Sequence, residues 1–158
     1  MTWLFLDCEW ADAQASELVS LALVPEDPAL PEFYAERASL PANATPFVKS
    51  VVYPLLKRGR AAMDDLAIAN ALRRYLASFN DPIIMHDSTI DLVLLGEALS
   101  HPDCTEPSPR LRPNLIGVPF YLQRIEQIFS QDSERRARRH HALVDARVAR
   151  DAFLLCVR

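Results

Sequence analysis

Asp7 and Glu9 stand two residues apart at the end of an apolar run, Leu4-Phe5-Leu6-Asp7-Cys8-Glu9-Trp10. A strand sends alternate side chains to opposite faces, so the two acids share one face and Leu6 and Cys8 the other. Two carboxylates on one face of a buried strand repel each other unless a cation lies between them, and a divalent metal is the usual solution. Two more acids occupy comparable places. Asp91 falls in the first turn of an apolar helical stretch, on the stripe of Leu94, Leu95 and Ala98. Asp145 shares its helical stripe with Ala149, Ala152 and Cys156. An acid on the core-facing edge of a helix needs a partner. Each of the four has a simpler explanation when taken singly: a first-turn acid favoured by the helix dipole for Asp91, an arginine partner for Asp145, a strand-end turn for Asp7 and Glu9. Together they describe four carboxylates aimed at one place by one strand and two helices.

Apolar periodicity outlines the elements that must do the aiming. Residues 2–8, 17–24 and 33–36 read as three strands, close enough in sequence for an antiparallel meander. Residues 46–56 read as a short helix with Pro46 at its first position and Phe47, Val51 and Leu55 on one face. A clearer helix covers 64–79, with Asp64 and Asp65 at its N-terminal end. Residues 82–87 form a buried strand that leads directly into a helix over 88–99, capped by Asp87 or Ser88. The stretch 101–119 is rich in proline and irregular. A strand or a short helix lies within 114–129, and the sequence does not distinguish them. The polar run 131–139 carries Arg135, Arg136, Arg138 and Arg139, and a last helix covers 141–157, with Arg147, Arg150 and Arg158 on a separate stripe. This pattern predicts an α/β fold: a mixed β-sheet with helices packed on its faces, in a single domain over 1–158.

Composition narrows the functional classes. Three glycines, Gly59, Gly96 and Gly117, allow no glycine-rich phosphate loop and no nucleophile elbow. Three distant cysteines give neither a disulfide framework nor a zinc ribbon, so Cys8 is a packing residue and the cytoplasm is the expected compartment. His101 and Cys104 have a metal-like spacing but no second pair. No apolar run reaches membrane-spanning length, and the N-terminus lacks the basic segment of a signal peptide. The net charge of −4 argues against a broad grip on duplex DNA. It leaves room for a nucleic-acid enzyme whose site is itself acidic and filled with metal.

The contexts of the four acids carry a resemblance. Phe5-Leu6-Asp7-Cys8-Glu9 resembles the first motif of the DnaQ-like, or DEDD, 3′–5′ exonuclease superfamily. Met85-His86-Asp87-Ser88-Thr89-Ile90-Asp91-Leu92 resembles the second, with Asp87 in the Asn position and Ile90 in the aromatic one. His140-His141-Ala142-Leu143-Val144-Asp145-Ala146 resembles the third motif in its histidine form. The similarity spans nearly the whole chain and is nearest to the small single-domain exoribonucleases. It implies a ribonuclease H-like sheet and two Mg²⁺ or Mn²⁺ ions held by Asp7, Glu9, Asp91 and Asp145. It also implies hydrolysis of single-stranded RNA from the 3′ end into nucleoside 5′-monophosphates, and a homodimer. A 3′–5′ DNA exonuclease of the same chemistry is the near alternative, and a non-catalytic nucleotide- or RNA-binding protein on the same fold the more distant one.

The motif places a general-base histidine five residues before the acid, at His140, whereas the i, i+4 spacing of an ideal helix favours His141. The two agree on His140 if it lies in a loop just ahead of the helix. Trp10 is a candidate stacking platform for a terminal base. The arginine run, Arg139 above all, is a candidate for phosphate contact.

Overall fold

The computed structural model describes residues 1–157; Arg158 lies outside the described residues. Strand β1 (Trp3–Trp10) is the spine of the sheet, and its alternation divides the interior in two. Leu4, Leu6 and Cys8 face one layer, which α1 (Asp65–Ala77) and α2 (Thr89–Leu99) cover with Ile68, Leu72, Leu76, Leu94 and Leu95. Phe5 faces the other, which α5 (Ala142–Val157) covers with Ala142, Ala146, Ala149, Ala152 and Phe153. The small residues let α5 lie close to the strands, and Phe153 fills the far end, meeting Trp3 and Phe5 at ring-centroid distances of 5.2 and 5.5 Å.

Strands β2 (Leu18–Pro25) and β3 (Phe33–Arg37) complete the expected antiparallel meander with β1. On the other side of β1, β5 (Ile83–His86) and β6 (Pro113–Leu115) run parallel to it. A two-residue strand, β4 (Ala62–Met63), pairs with β3, giving the order β4-β3-β2-β1-β5-β6. The result is an α/β fold, a mixed six-stranded sheet flanked by helices, compatible with a ribonuclease H-like arrangement. Between Glu9 and Trp10 the register with β2 shifts, so that Glu9 opposes Ser20 and Trp10 opposes Leu18. Such a bulge re-aims the side chains at a strand end.

Helix termini follow local chemistry. The Asp64 carboxylate accepts the Ala67 N–H at 2.7 Å and caps α1. Ser88 rather than Asp87 caps α2. The region 114–129 contains both elements in question, since β6 precedes α3 (Tyr121–Gln131). A short helix, α4 (Ser133–Ala137), lies in the arginine-rich run and is capped by Asp132. The expected helix over 46–56 is corrected: its body is a π-helical turn, Val48–Val52, followed by a 3₁₀ turn, Tyr53–Leu55. Pro54 has no N–H to continue an α-helical ladder. The wider turn also changes the buried face, which consists of Val48 and Val52 and leaves Phe47 half exposed. No described helix is long and apolar enough to cross a membrane.

Phe153 is the largest side chain that α5 buries against the sheet. Phe153→Ala should cost about 3–5 kcal/mol in urea unfolding; a loss below about 1 kcal/mol would mean that α5 is held elsewhere.

Candidate metal centre and active site

Both α2 and α5 begin where β1 ends, which brings side chains from three remote segments into one pocket. Asp7, Glu9, Trp10, Asp91, His140 and Asp145 all line it, together with Asp12, Thr45, Phe47 and Asp87. Cys8 also borders the pocket, but its side chain packs with the α1/α2 layer, its Sγ 3.7 Å from the Asp91 carbonyl oxygen in the first turn of α2. Ligand atoms of Glu9, His140 and Asp145 lie within 4.8 Å of one another. Asp91 is 3% exposed.

The electrostatics are those of crowded acids. Asp7 is raised well above the carboxylate range, first by burial and then by Asp145, Glu9, Asp91 and Asp87. Glu9 is pushed up to about 8 by burial, Asp145 and Asp91. Burial and Asp87 raise Asp91 to about 7. Asp145 also reaches about 7 through burial, against the opposing pull of the His140 N–H and the Arg139 guanidinium. Three buried carboxylate oxygens, Asp7 Oδ2, Asp91 Oδ1 and Asp145 Oδ1, have no protein hydrogen-bond partner. Orphaned anionic oxygens in a buried cluster are costly, and hard divalent cations prefer such donors. The residues present therefore fit one or two ions of the Mg²⁺ or Mn²⁺ type.

His140 and His141 have different environments. His140 lies in the turn ahead of α5, with a left-handed backbone (φ 72°). Its N–H donates to Asp145 Oδ2 at 2.9 Å, which ties the turn to the acid. The imidazole meets the Phe47 ring edge-on at 5.0 Å, and burial and Arg139 lower its pKa. His141 is buried and stacks on Tyr34 at 4.7 Å, away from the pocket lining.

Trp10, at the bulged end of β1, is part of the pocket wall and also packs against the α1/α2 layer. Arg139 is absent from that wall. Its guanidinium is held by both carboxylate oxygens of Glu126, at 2.6 and 3.0 Å, over the Phe129 ring. Arg135 is likewise bound to Asp132 and Asp151. Cys104 contacts Asn70 and His101 accepts from the Asp103 N–H, so both behave as loop residues. Phe47, Thr45 and Asp12 are pocket residues that the sequence did not flag. For Phe47 the signal was misleading, since an α-helical period assigns it to the buried stripe.

No protein-family model matches the chain, and no curated protein matches its sequence at a significant level. The chemistry of the site therefore rests on its own geometry.

The raised acids give a linkage with a definite sign. The folded protein binds their protons more tightly than the unfolded chain does. That stabilisation is complete below about pH 4 and is lost as the pH rises through about 7 to 8. In chelator, the wild-type Tm should fall across this window. Asp145→Asn should melt higher than wild type at pH 8, with the gap narrowing by pH 5, and Mg²⁺ should raise only the wild type appreciably. Thermal melts across the pH range check this; a flat wild-type profile would contradict it.

Proposed function

We propose that the protein is a metal-dependent 3′–5′ exonuclease acting on single-stranded RNA, of the DnaQ-like type. The observation that carries this reading is the convergence of Asp7, Glu9, Asp91, Asp145 and His140 on one pocket, with three buried carboxylate oxygens unpartnered. The spacing of the three motifs in the sequence supports it independently.

When bound, two divalent cations supply positive charge that offsets the four carboxylates and the charge of the cleaved phosphodiester. The protein's part is positioning and proton transfer. Trp10 and the half-exposed Phe47 offer aromatic surfaces on which the 3′-terminal base stacks. His140 accepts a proton from the attacking water, and its lowered pKa keeps it neutral, as a base must be, near pH 7. The water oxygen bonds to phosphorus, the bond to the 3′ oxygen breaks, and that oxygen leaves and takes up a proton from solvent. The product is a nucleoside 5′-monophosphate. The hydrogen bond from the His140 N–H to Asp145 fixes the base relative to one metal ligand, so a loop residue performs with the precision of a helix.

The test is a 5′-labelled RNA incubated with Mn²⁺. Wild-type protein should give a ladder shortening from the 3′ end, and Asp7→Asn should give none. His140→Ala should lose about 10²–10⁴-fold in kcat, whereas His141→Ala should act mainly on stability. With saturating metal, wild-type rates should rise with pH through the lowered His140 pKa, and His140→Ala should lack that limb. An inert wild type, or full activity in His140→Ala, would sink the respective assignment. A matched DNA oligomer separates RNA from DNA specificity.

A further inference from the structure

Phe120 occupies a place that folding alone does not explain. It is 72% exposed, and its backbone is left-handed (φ 63°, ψ 4°). That conformation is unfavourable for any residue with a Cβ and uncommon for a bulky one. As the residue that opens α3 it supplies no cap hydrogen bond, where Ser, Thr, Asp or Asn would. Among the described residues its ring belongs to none of the hydrophobic clusters. Strain of this kind gathers at ligand-binding sites.

The ring borders a cavity of about 360 Å³, shared with Ile116, Val118, Leu122, Gln123 and Asp87. Small-ligand sites commonly measure about 300–1,000 Å³. Asp87 also lines the acid pocket, so the two cavities share a wall. Two contacts fix this adjacency. The Tyr121 hydroxyl donates to Asp87 Oδ2 at 3.2 Å, and the Ile116 N–H donates to the His86 carbonyl at 2.8 Å. Tyr121 is itself buried, so the residue next to Phe120 is anchored in the core while the Phe120 ring stays free.

The sheet sets the order of these parts. Strands β1, β5 and β6 are parallel, so their C-terminal ends fall along one edge. The turn that follows Phe47 packs through Val48 and Val52 on Val19 of β2, on one side of β1. Phe120 follows β6, on the other side. The acids at the end of β1 therefore lie between two aromatic surfaces. A scissile phosphate joins the last two nucleotides of a strand. With that phosphate over the acids, the terminal base falls to one side and the base before it to the other. The lining of the second cavity suits a base rather than a phosphate: apolar side chains, the Gln123 amide and the Asp87 carboxylate, with no cation among the described residues. Every base offers a π face to an aromatic ring, and an amide offers both a donor and an acceptor to a base edge.

We propose that Phe120 is the stacking platform for the penultimate base of a single-stranded substrate, with Ile116, Val118 and Leu122 as its apolar surround. This rests on the exonuclease reading for the identity of the ligand. The platform makes the site a gauge of two bases. Trp10 and Phe47 hold the last base and Phe120 the one before it, which draws the phosphate between them across the acids. A ligand with a single base engages only the first surface.

The experiment uses five-nucleotide RNA carrying 2-aminopurine, whose fluorescence falls on stacking, at either the terminal or the penultimate position. The protein carries Asp7→Asn in Mg²⁺, so that no turnover occurs. Phe120→Ala should abolish the quench at the penultimate position, leave the terminal one, and weaken affinity about tenfold. Phe120→Trp should restore both. Phe120→Gly relieves the left-handed strain, so it should bind as weakly as the alanine variant with a Tm equal to or above that of wild type. That pairing separates lost stacking from lost folding. In the active background Phe120→Ala should raise KM for the five-mer about tenfold with kcat largely retained, and leave hydrolysis of a mononucleotide p-nitrophenyl ester unchanged. No penultimate quench in wild type, or one that survives in Phe120→Ala, overturns the platform. So does a wild type that sediments as a dimer beside a monomeric alanine variant of equal RNA affinity, since a second copy then covers the ring. A Phe120-dependent quench in a wild type that never cleaves overturns the exonuclease reading and leaves the platform standing.

Discussion

The joint burial and crowding of four carboxylates at one end of β1, with Asp87 beside them, is the constraint on which the rest of the structure turns. Asp7, Glu9, Asp91 and Asp145 are raised together because burial and proximity act on all of them at once. Nothing among the described residues relieves this fully. The backbone N–H of His140 and the Arg139 charge ease Asp145 alone. Starting α2 and α5 at the end of β1 turns two positive helix ends toward the acids, a partial compensation worth up to a kcal/mol or so each. The remainder is the thermodynamic reservoir from which a bound cation draws its affinity, because an ion that satisfies the orphaned oxygens also removes their repulsion.

The cores on either side of the sheet exist to hold that arrangement. Leu4, Leu6 and Cys8 commit one face of β1 to α1 and α2, and Phe5 commits the other to α5. The alternation that buries Phe5 aims Asp7 and Glu9 toward α5, where Asp145 begins its helix. Cys8 then brings the Asp91 turn against the strand end from behind. A one-residue slip in β1 would bury the acids among leucines and turn the Cys8 side chain into the pocket. Fold and site are thus specified by the same alternation.

Much of this is legible in the sequence because it rests on strong periodicities. The meander, β5, α1, α2 and α5 come from apolar repeats, and the placement of the four acids follows from those repeats. The unread parts are governed by contacts between distant residues. β4 and β6 are two and three residues long and owe their existence to pairing partners rather than to propensity. Phe47 looks like a core residue at an α-helical period, and only the π-helical turn frees it to meet His140. The arginine run looks uniformly cationic, yet Glu126 neutralises Arg139 and Asp132 and Asp151 bind Arg135, while Arg136 and Arg138 carry no ion pair among the described residues. Which charge stays free depends on tertiary pairing, and no local pattern encodes that.

Calorimetric titration of Mn²⁺ at pH 7.5, repeated in buffers of different ionisation enthalpy, tests the shared-site account most directly. Carboxylates held partly protonated by burial and by neighbouring acids must release protons when a cation enters. The account predicts saturable binding by up to two ions accompanied by net proton release, both strongly weakened in Asp91→Asn. Binding without proton release, or no binding by the wild type, would contradict it.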